Sequence, residues 1–346
     1  MKSSRIFCIP YSKMRCSGHL HRRVIGLLAL AAAVTGILSL CLGAEPVPLG
    51  QVLASLISPG ESAAARIVRY VRLPRTCAGL LAGAALAASG AIIQGVLANP
   101  LASPGTIGVN AGAGLAAALC CAAVPTAVAA VPLAAMAGAF FGAVLVLAVA
   151  ERTGASRLTL VLAGVALSGV FNAGVDAVVT FVPEALNGYS DFRIGGLSGV
   201  SMAQLLPALA LIAPGILIAL SLHNELDVLA LGREQAQALG LSARPLRLVF
   251  LALAAALAGA AVSFAGLLGF VGLVVPHMMR RFVGEESGPL LAASALGGGA
   301  LLCGCDLLSR LIFAPFELPV GIVMSFLGGP FFIWLLLRQK GGRIHG

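Results

Sequence analysis

The chain has 346 residues, 59% of them hydrophobic and 10% charged, with a mean hydropathy of +1.02. A soluble domain carries about a quarter charged residues, so a water-soluble globule, a disordered chain and a fibrous one are all excluded. The net charge of +9, from 22 Lys and Arg against 13 Asp and Glu, points in such a chain to basic cytoplasmic loops rather than to nucleic acid.

At roughly 20 residues per span, the length accommodates about ten transmembrane helices. The first follows Lys2, Arg5, Lys13, Arg15, Arg22 and Arg23. This segment resembles a signal peptide, but its apolar run is longer than an h-region of about 7–15 residues and no A-x-A-like site follows. It therefore reads as an uncleaved span near 24–43, with 1–23 as a cytoplasmic tail. Further apolar runs predict helices near 76–97, 106–124, 127–150, 159–179, 203–221, 246–263, 267–282, 290–308 and 319–337. Residues 24–337 then form one all-α integral membrane domain, and 338–346 a second cytoplasmic tail. The runs are continuous rather than alternating, which argues against barrel strands. Their many Gly and Ala residues permit close helix packing.

With both termini inside, most basic residues fall in cytoplasmic segments: the N-terminal group, Arg152, Arg157, Arg233, Arg244, Arg247, Arg280, Arg281, Arg338, Lys340 and Arg343. The positive-inside rule selects this orientation. Arg66, Arg69, Arg72, Arg75, Arg193 and Arg310 lie outside against the trend. They either snorkel to headgroups or meet an acidic protein surface.

Ionisable and polar residues within spans are functional hypotheses by default. Gln94, Asn110, Asn172, Asp176 and Asp306 qualify. Asp306 and Arg310 have the spacing of an intrahelical i,i+4 pair, and Asn172 and Asp176 share one helix face. His277 follows Pro276 and reads as a structural hydrogen-bonder rather than a metal ligand. The eight cysteines include no CxxC pair; Cys303 and Cys305 read as small hydrophobes. No metal site or chain-bound cofactor is expected. There is no GxxxxGK[ST] loop, and Lys2, Lys13 and Lys340 all sit near the termini, so any ATP-driven work falls to a partner. Residues 231–241 form a short amphipathic pattern, with Leu231, Ala238 and Leu239 spaced by Arg233, Glu234, Gln235 and Gln237. Such a helix lies on lipid or in a partner's cleft.

Four motifs occur in order: Arg72-Leu73-Pro74-Arg75; Gly90 to Gln94 with Asn99 to Pro104; Phe270 to Arg280; and Glu317 to Gly321 with Gly328 to Phe332. Together, from about Arg66 to Leu337, they resemble the FecCD-type permeases of ABC importers for iron–siderophore complexes, haem and cobalamin. The resemblance implies a ten-helix, type II permease working as a homodimer around a central pathway in the cell (inner) membrane. It also implies two cytoplasmic ABC ATPase subunits, which use ATP and Mg, and one external substrate-binding protein. Residue by residue, it implies a coupling helix containing Leu231, Gly232, Arg233, Glu234, Ala236, Leu239 and Gly240. It implies docking of the binding protein at Arg72, Arg75 and Arg310, and a pathway touched by Gln94, Asn172 and Asp176.

The sequence departs from the family pattern in two places. Tyr189 to Leu197 carries Phe192 and Gly196 where many members have Trp and Ser, and the coupling stretch lacks the usual flanking Asn and Ser. A ferric siderophore is the first expectation for cargo, with haem and cobalamin after it. The rival from another class is an ion-gradient-driven secondary transporter, which needs intramembrane carboxylates and broken helices. Only Asp176 and Asp306 lie at membrane level to serve it. A membrane-embedded enzyme would need a paired carboxylate or a His/Cys constellation on facing spans, and the sequence has none.

Overall fold

A computed structural model describes residues 11–43, 45–57, 62–126, 128–153, 157–314 and 316–340. Among these residues the regular structure is entirely helical. The helices are α1 (Tyr11–Cys41), α2 (Leu49–Ile57), α3 (Ala63–Ile67), α4 (Leu73–Leu97), α5 (Val109–Ala123), α6 (Val131–Arg152), α7 (Arg157–Phe181) and α8 (Ala185–Ile194). They continue as α9 (Met202–Ser221), α10 (His223–Leu231), α11 (Arg233–Ala238), α12 (Ala243–Ala265), α13 (Val271–Val283), α14 (Ser287–Ile312) and α15 (Val320–Lys340). Among the described residues, seven helical segments are long and apolar enough to cross a membrane: Gly18–Cys41, Ala63–Leu97, Val131–Arg152, Leu158–Phe181, Met202–Ser221, Ala243–Ala265 and Ser287–Ile312. The other three predicted spans correspond to α5, α13 and α15, of which α5 and α13 have only 15 and 13 residues.

Two expected boundaries move. The first helix begins at Tyr11 rather than near 24, so described residues of the predicted tail are already helical; residues 1–10 and 341–346 lie outside the described residues. The span expected from 267 starts at Val271, because Gly266 and Phe270 are left-handed, at φ +69° and +65°. That conformation is a genuine outlier for a bulky residue such as Phe270. A glycine opposite makes room for it: a Cβ added at Gly328 would lie 2.3 Å from the Cβ of Phe270.

The centre of the bundle is α4, packed against α14, α12 and α13. Lipid tails are as apolar as leucine, so association depends on close packing and interhelical hydrogen bonds. Both are present. A Cβ on Gly83 would lie 2.1 Å from the carbonyl oxygen of Gly298 on α14, so only glycine permits that approach. The Ser89 hydroxyl donates to the Ala254 carbonyl of α12 at 2.7 Å. The chain then reverses into α5. Ala98 adopts φ +42° to end α4, Leu101 N–H donates to Asn99 Oδ1 at 3.0 Å, and Ser103 and Thr106 form a capping box on the next turn. By contrast α7 lies at the periphery, packed on α5 and α6.

Candidate functional site

At one end of the bundle, Arg72, Arg75 and Arg310 converge with Asp306. Each arginine is 4–5% exposed and Asp306 is 1%. The Asp306 carboxylate accepts from Arg75 Nε at 3.1 and 3.0 Å, and Arg75 Nη2 lies 3.0 Å from its Oδ1. Arg310 Nε lies 3.2 Å from Asp306 Oδ2, the i,i+4 pair that the spacing implied. Arg75 Nη1 reaches Glu317 Oε2 at 2.5 Å. Arg310 also donates to Ser39 Oγ at 2.7 Å, and that hydroxyl is 2.8 Å from Thr76 Oγ1. Arg72 donates to the carbonyls of Leu40 and Cys41 at 3.0 and 2.9 Å, and to that of Glu45. The last carbonyls of a helix have no intrahelical partner and carry a partial negative charge; for α1 the guanidinium of Arg72 supplies both the donors and the compensating charge.

The ends of α1, α4 and α14 and the approach to α15 are thus tied by one charged cluster. Arg72, Arg75 and Arg310, expected on an outer rim, are buried and committed to acceptors of their own chain. Of the arginines expected outside, Arg66 and Arg193 are exposed, as is Glu317, whose side chain is 44% exposed.

Gln94, expected on the pathway, is committed in the same way. It is 2% exposed, not on an open wall. Its Nε2 donates to the carbonyls of Ala102 and Gly272 at 3.1 and 3.2 Å, and its Oε1 accepts from Arg280. It joins α4 to α13.

The stretch 231–241 is a corner rather than one helix. Leu231 ends α10, Gly232 turns the chain at φ +116°, and α11 runs from Arg233 to Ala238. Leu239 caps α11, and Gly240 follows at φ +80°. Leu231 and Leu239 are 60% and 63% exposed, whereas Ala236 is fully buried. Ala236 therefore fixes the corner to its own chain, and the leucines face away from it. The side chains of Arg233 and Glu234 lie outside the description.

On α7 the pattern reverses. Ala163, Phe171 and Val175 pack inward, while Leu158, Leu162, Val165, Gly169, Asn172, Asp176 and Thr180 are all exposed. Their spacing of three and four residues makes a single stripe, apolar at one end and polar at the other. Thr180 Oγ1 donates to the Asp176 carbonyl at 2.7 Å. Beside the stripe, α8 buries Tyr189. Burial pushes its phenol above the usual range; the nearby Arg193 opposes this and Asp176 adds to it. The Phe192 carbonyl accepts from Leu267 N–H at 2.9 Å, Gly196 N–H donates to Ala265 at 3.0 Å and Gly321 N–H to Gly195 at 3.1 Å. The stretch that departs from the family pattern is thereby stitched to the ends of α12 and α15.

Sequence reasoning missed Ser39, Thr76, Glu317 and Arg280 as partners in these networks. Ser39 carried a signal, being with Thr35 one of two hydroxyls in an otherwise apolar span; Glu317 carried another, as an acid two residues before Pro319 at the start of the last helix.

Long apolar helices packed through glycine, with polar side chains bolted inside, define a multi-pass helical membrane protein. The profile of the FecCD transport family matches residues 30–338, and the chain belongs to that family. It is 40% identical to a hemin transport system permease protein of Yersinia pestis over 79% of this chain and 84% of that one. It is 39% identical to an Fe(3+)-citrate import system permease protein of Bacillus subtilis (strain 168), over 90% and 93% respectively. A vitamin B12 import system permease protein of Klebsiella pneumoniae is 37% identical over 92% of this chain and 95% of its own length. Among solved structures, a metal-chelate type ABC transporter in an inward-facing conformation superposes with a TM-score of 0.83 at 28% identity, covering 92% of this chain and 99% of that one.

Proposed function

We propose that the chain is the transmembrane permease subunit of an ATP-binding-cassette importer, carrying a metal chelate or corrinoid inward by alternating access. A ferric siderophore is the first candidate cargo, followed by haem and cobalamin. Two copies face each other through their α7 stripes, two ATPase subunits work from the cytoplasmic side using ATP and Mg, and an external binding protein delivers cargo at the arginine-rich end. Both termini are cytoplasmic, and the ten predicted helices all take part in the membrane domain.

The observation that carries this reading is the α10–α11 corner. Leu231 and Leu239 stand exposed on a short helical turn whose Ala236 is buried. Two large apolar groups held out on a rigid corner suit a protein cleft, and closure of such a cleft would lever the adjoining α10 and α12. Replacing Leu239 with Asp tests it. The variant should fold as the parent does, yet bind the ATPase weakly and lose ATP-driven uptake. Normal uptake with normal ATPase association would leave the corner without a coupling role. Ala236 is unsuited to this test, because a larger residue there disturbs the chain's own packing.

A further inference from the structure

We propose that Asp176 is a charge selector on the pathway wall, favouring neutral or cationic cargo over strongly anionic metal chelates. The inference rests on the reading of the α7 stripe as the pathway. Asp176 lies five residues before Phe181, the last residue of α7. At 1.5 Å per residue this is about 7–8 Å below that end of the helix. It is exposed, and among the described residues it enters no ion pair. A carboxylate at this depth is costly against lipid, so its surroundings must be wet.

Its neighbours on the stripe agree. Asn172 and Thr180, one turn to either side, are also polar and exposed, while Leu158, Leu162 and Val165 occupy the far end. Polarity is confined to one end, as in a wetted mouth that narrows onto an apolar wall. Within the stripe Asp176 is the one charge; Asn172 and Thr180 offer hydrogen bonds without charge. A two-fold dimer presents the carboxylate twice. The cation sensed in the same neighbourhood is Arg193, which belongs to α8 rather than to the stripe and acts on Tyr189 from there. It opposes the field of Asp176 from there.

A unit charge one helical turn from Asp176 is about 6–8 Å away. In a water-lined mouth the Coulomb term then changes local concentration by roughly two- to tenfold, with opposite sign for cations and anions. A cargo carrying several negative charges is penalised at each of them, and a neutral or cationic chelate is not.

The test places a thiol beside the carboxylate. Asn172→Cys, or Ala173→Cys should the first fold poorly, is made in the full-length chain, assembled with its ATPase partner in lipid nanodiscs. It is treated with two methanethiosulfonates, one bearing trimethylammonium and one bearing sulfonate. Modification at that residue is read by peptide mass spectrometry, so the native cysteines do not interfere. Adding Asp176→Asn should lower the cation-to-anion rate ratio by roughly fivefold or more, and high salt should shrink the difference. If both reagents react and the ratio ignores Asp176→Asn, charge selection is overturned while the pathway reading stands. If neither reagent reaches either position, the stripe is not water-lined and both fall.

Discussion

The helices α4 and α7 are each 25 residues long and each carry polar groups through an apolar sequence, yet they use those groups in opposite ways. Of the most apolar stretch of the α4 segment, 78% is buried inside the protein; for α7 the figure is 28%. On α4, Arg75, Thr76, Ser89 and Gln94 all bond to other helices or to the loops beside them. On α7, Asn172 and Asp176 look outward. A polar residue in a span is therefore a bolt when protein surrounds it and is left for a ligand, a partner or water when nothing does. Residue type alone does not distinguish the two; the face it occupies does.

The contrast can be broken most forcefully at Asp306. Replacing it with Ala leaves Arg75 and Arg310 buried without their shared counter-charge, which should cost about 3–5 kcal/mol and appear as a large drop in thermal unfolding temperature in detergent. A shift no larger than that of an α7 surface variant would mean the cluster does not hold the helices. Gly83→Val comes next. Its side chain meets the backbone of Gly298, and overpacking of this kind should cost about 1–3 kcal/mol, read as loss of monodisperse protein by size exclusion. Glu317→Gln removes only the half-exposed arm of the network, so a change below about 1 kcal/mol is expected. Smallest of all, Asn172→Ala and Asp176→Asn should leave unfolding within about 0.5 kcal/mol of the parent while altering transport. Destabilisation comparable to Asp306→Ala would place α7 among the bolts.

Much of this was legible in the sequence. Unbroken apolar stretches located the long helices, because lipid imposes the same demand along the whole of a span. The pair Asp306–Arg310 followed from i,i+4 spacing, and the shared face of Asn172 and Asp176 from the helical repeat. What escaped depends on contacts distant in sequence. Arg75 joins an acid on α14, and Arg72 caps a helix that ended about thirty residues earlier. The charge rule counts both as outward loop residues, since it knows nothing of packing. Gln94, which the resemblance assigned to the pathway, has its amide claimed by three groups from outside α4 that no local pattern foretells. At the α10–α11 corner the helical repeat grouped Leu231 with Leu239, but it could not tell that Ala236 turns towards its own chain. The break at Phe270 was hidden too: a left-handed phenylalanine is tolerated only because Gly328, far along the chain, leaves it space.

In the proposed function this chain moves cargo when a partner hydrolyses ATP. The direct measurement is uptake of a radiolabelled ferric siderophore into proteoliposomes holding the permease, its ATPase and, outside, the loaded binding protein. Accumulation should require enclosed ATP and Mg, stop with Leu239→Asp and be indifferent to proton or sodium gradients. Uptake driven by an ion gradient without ATP would contradict it.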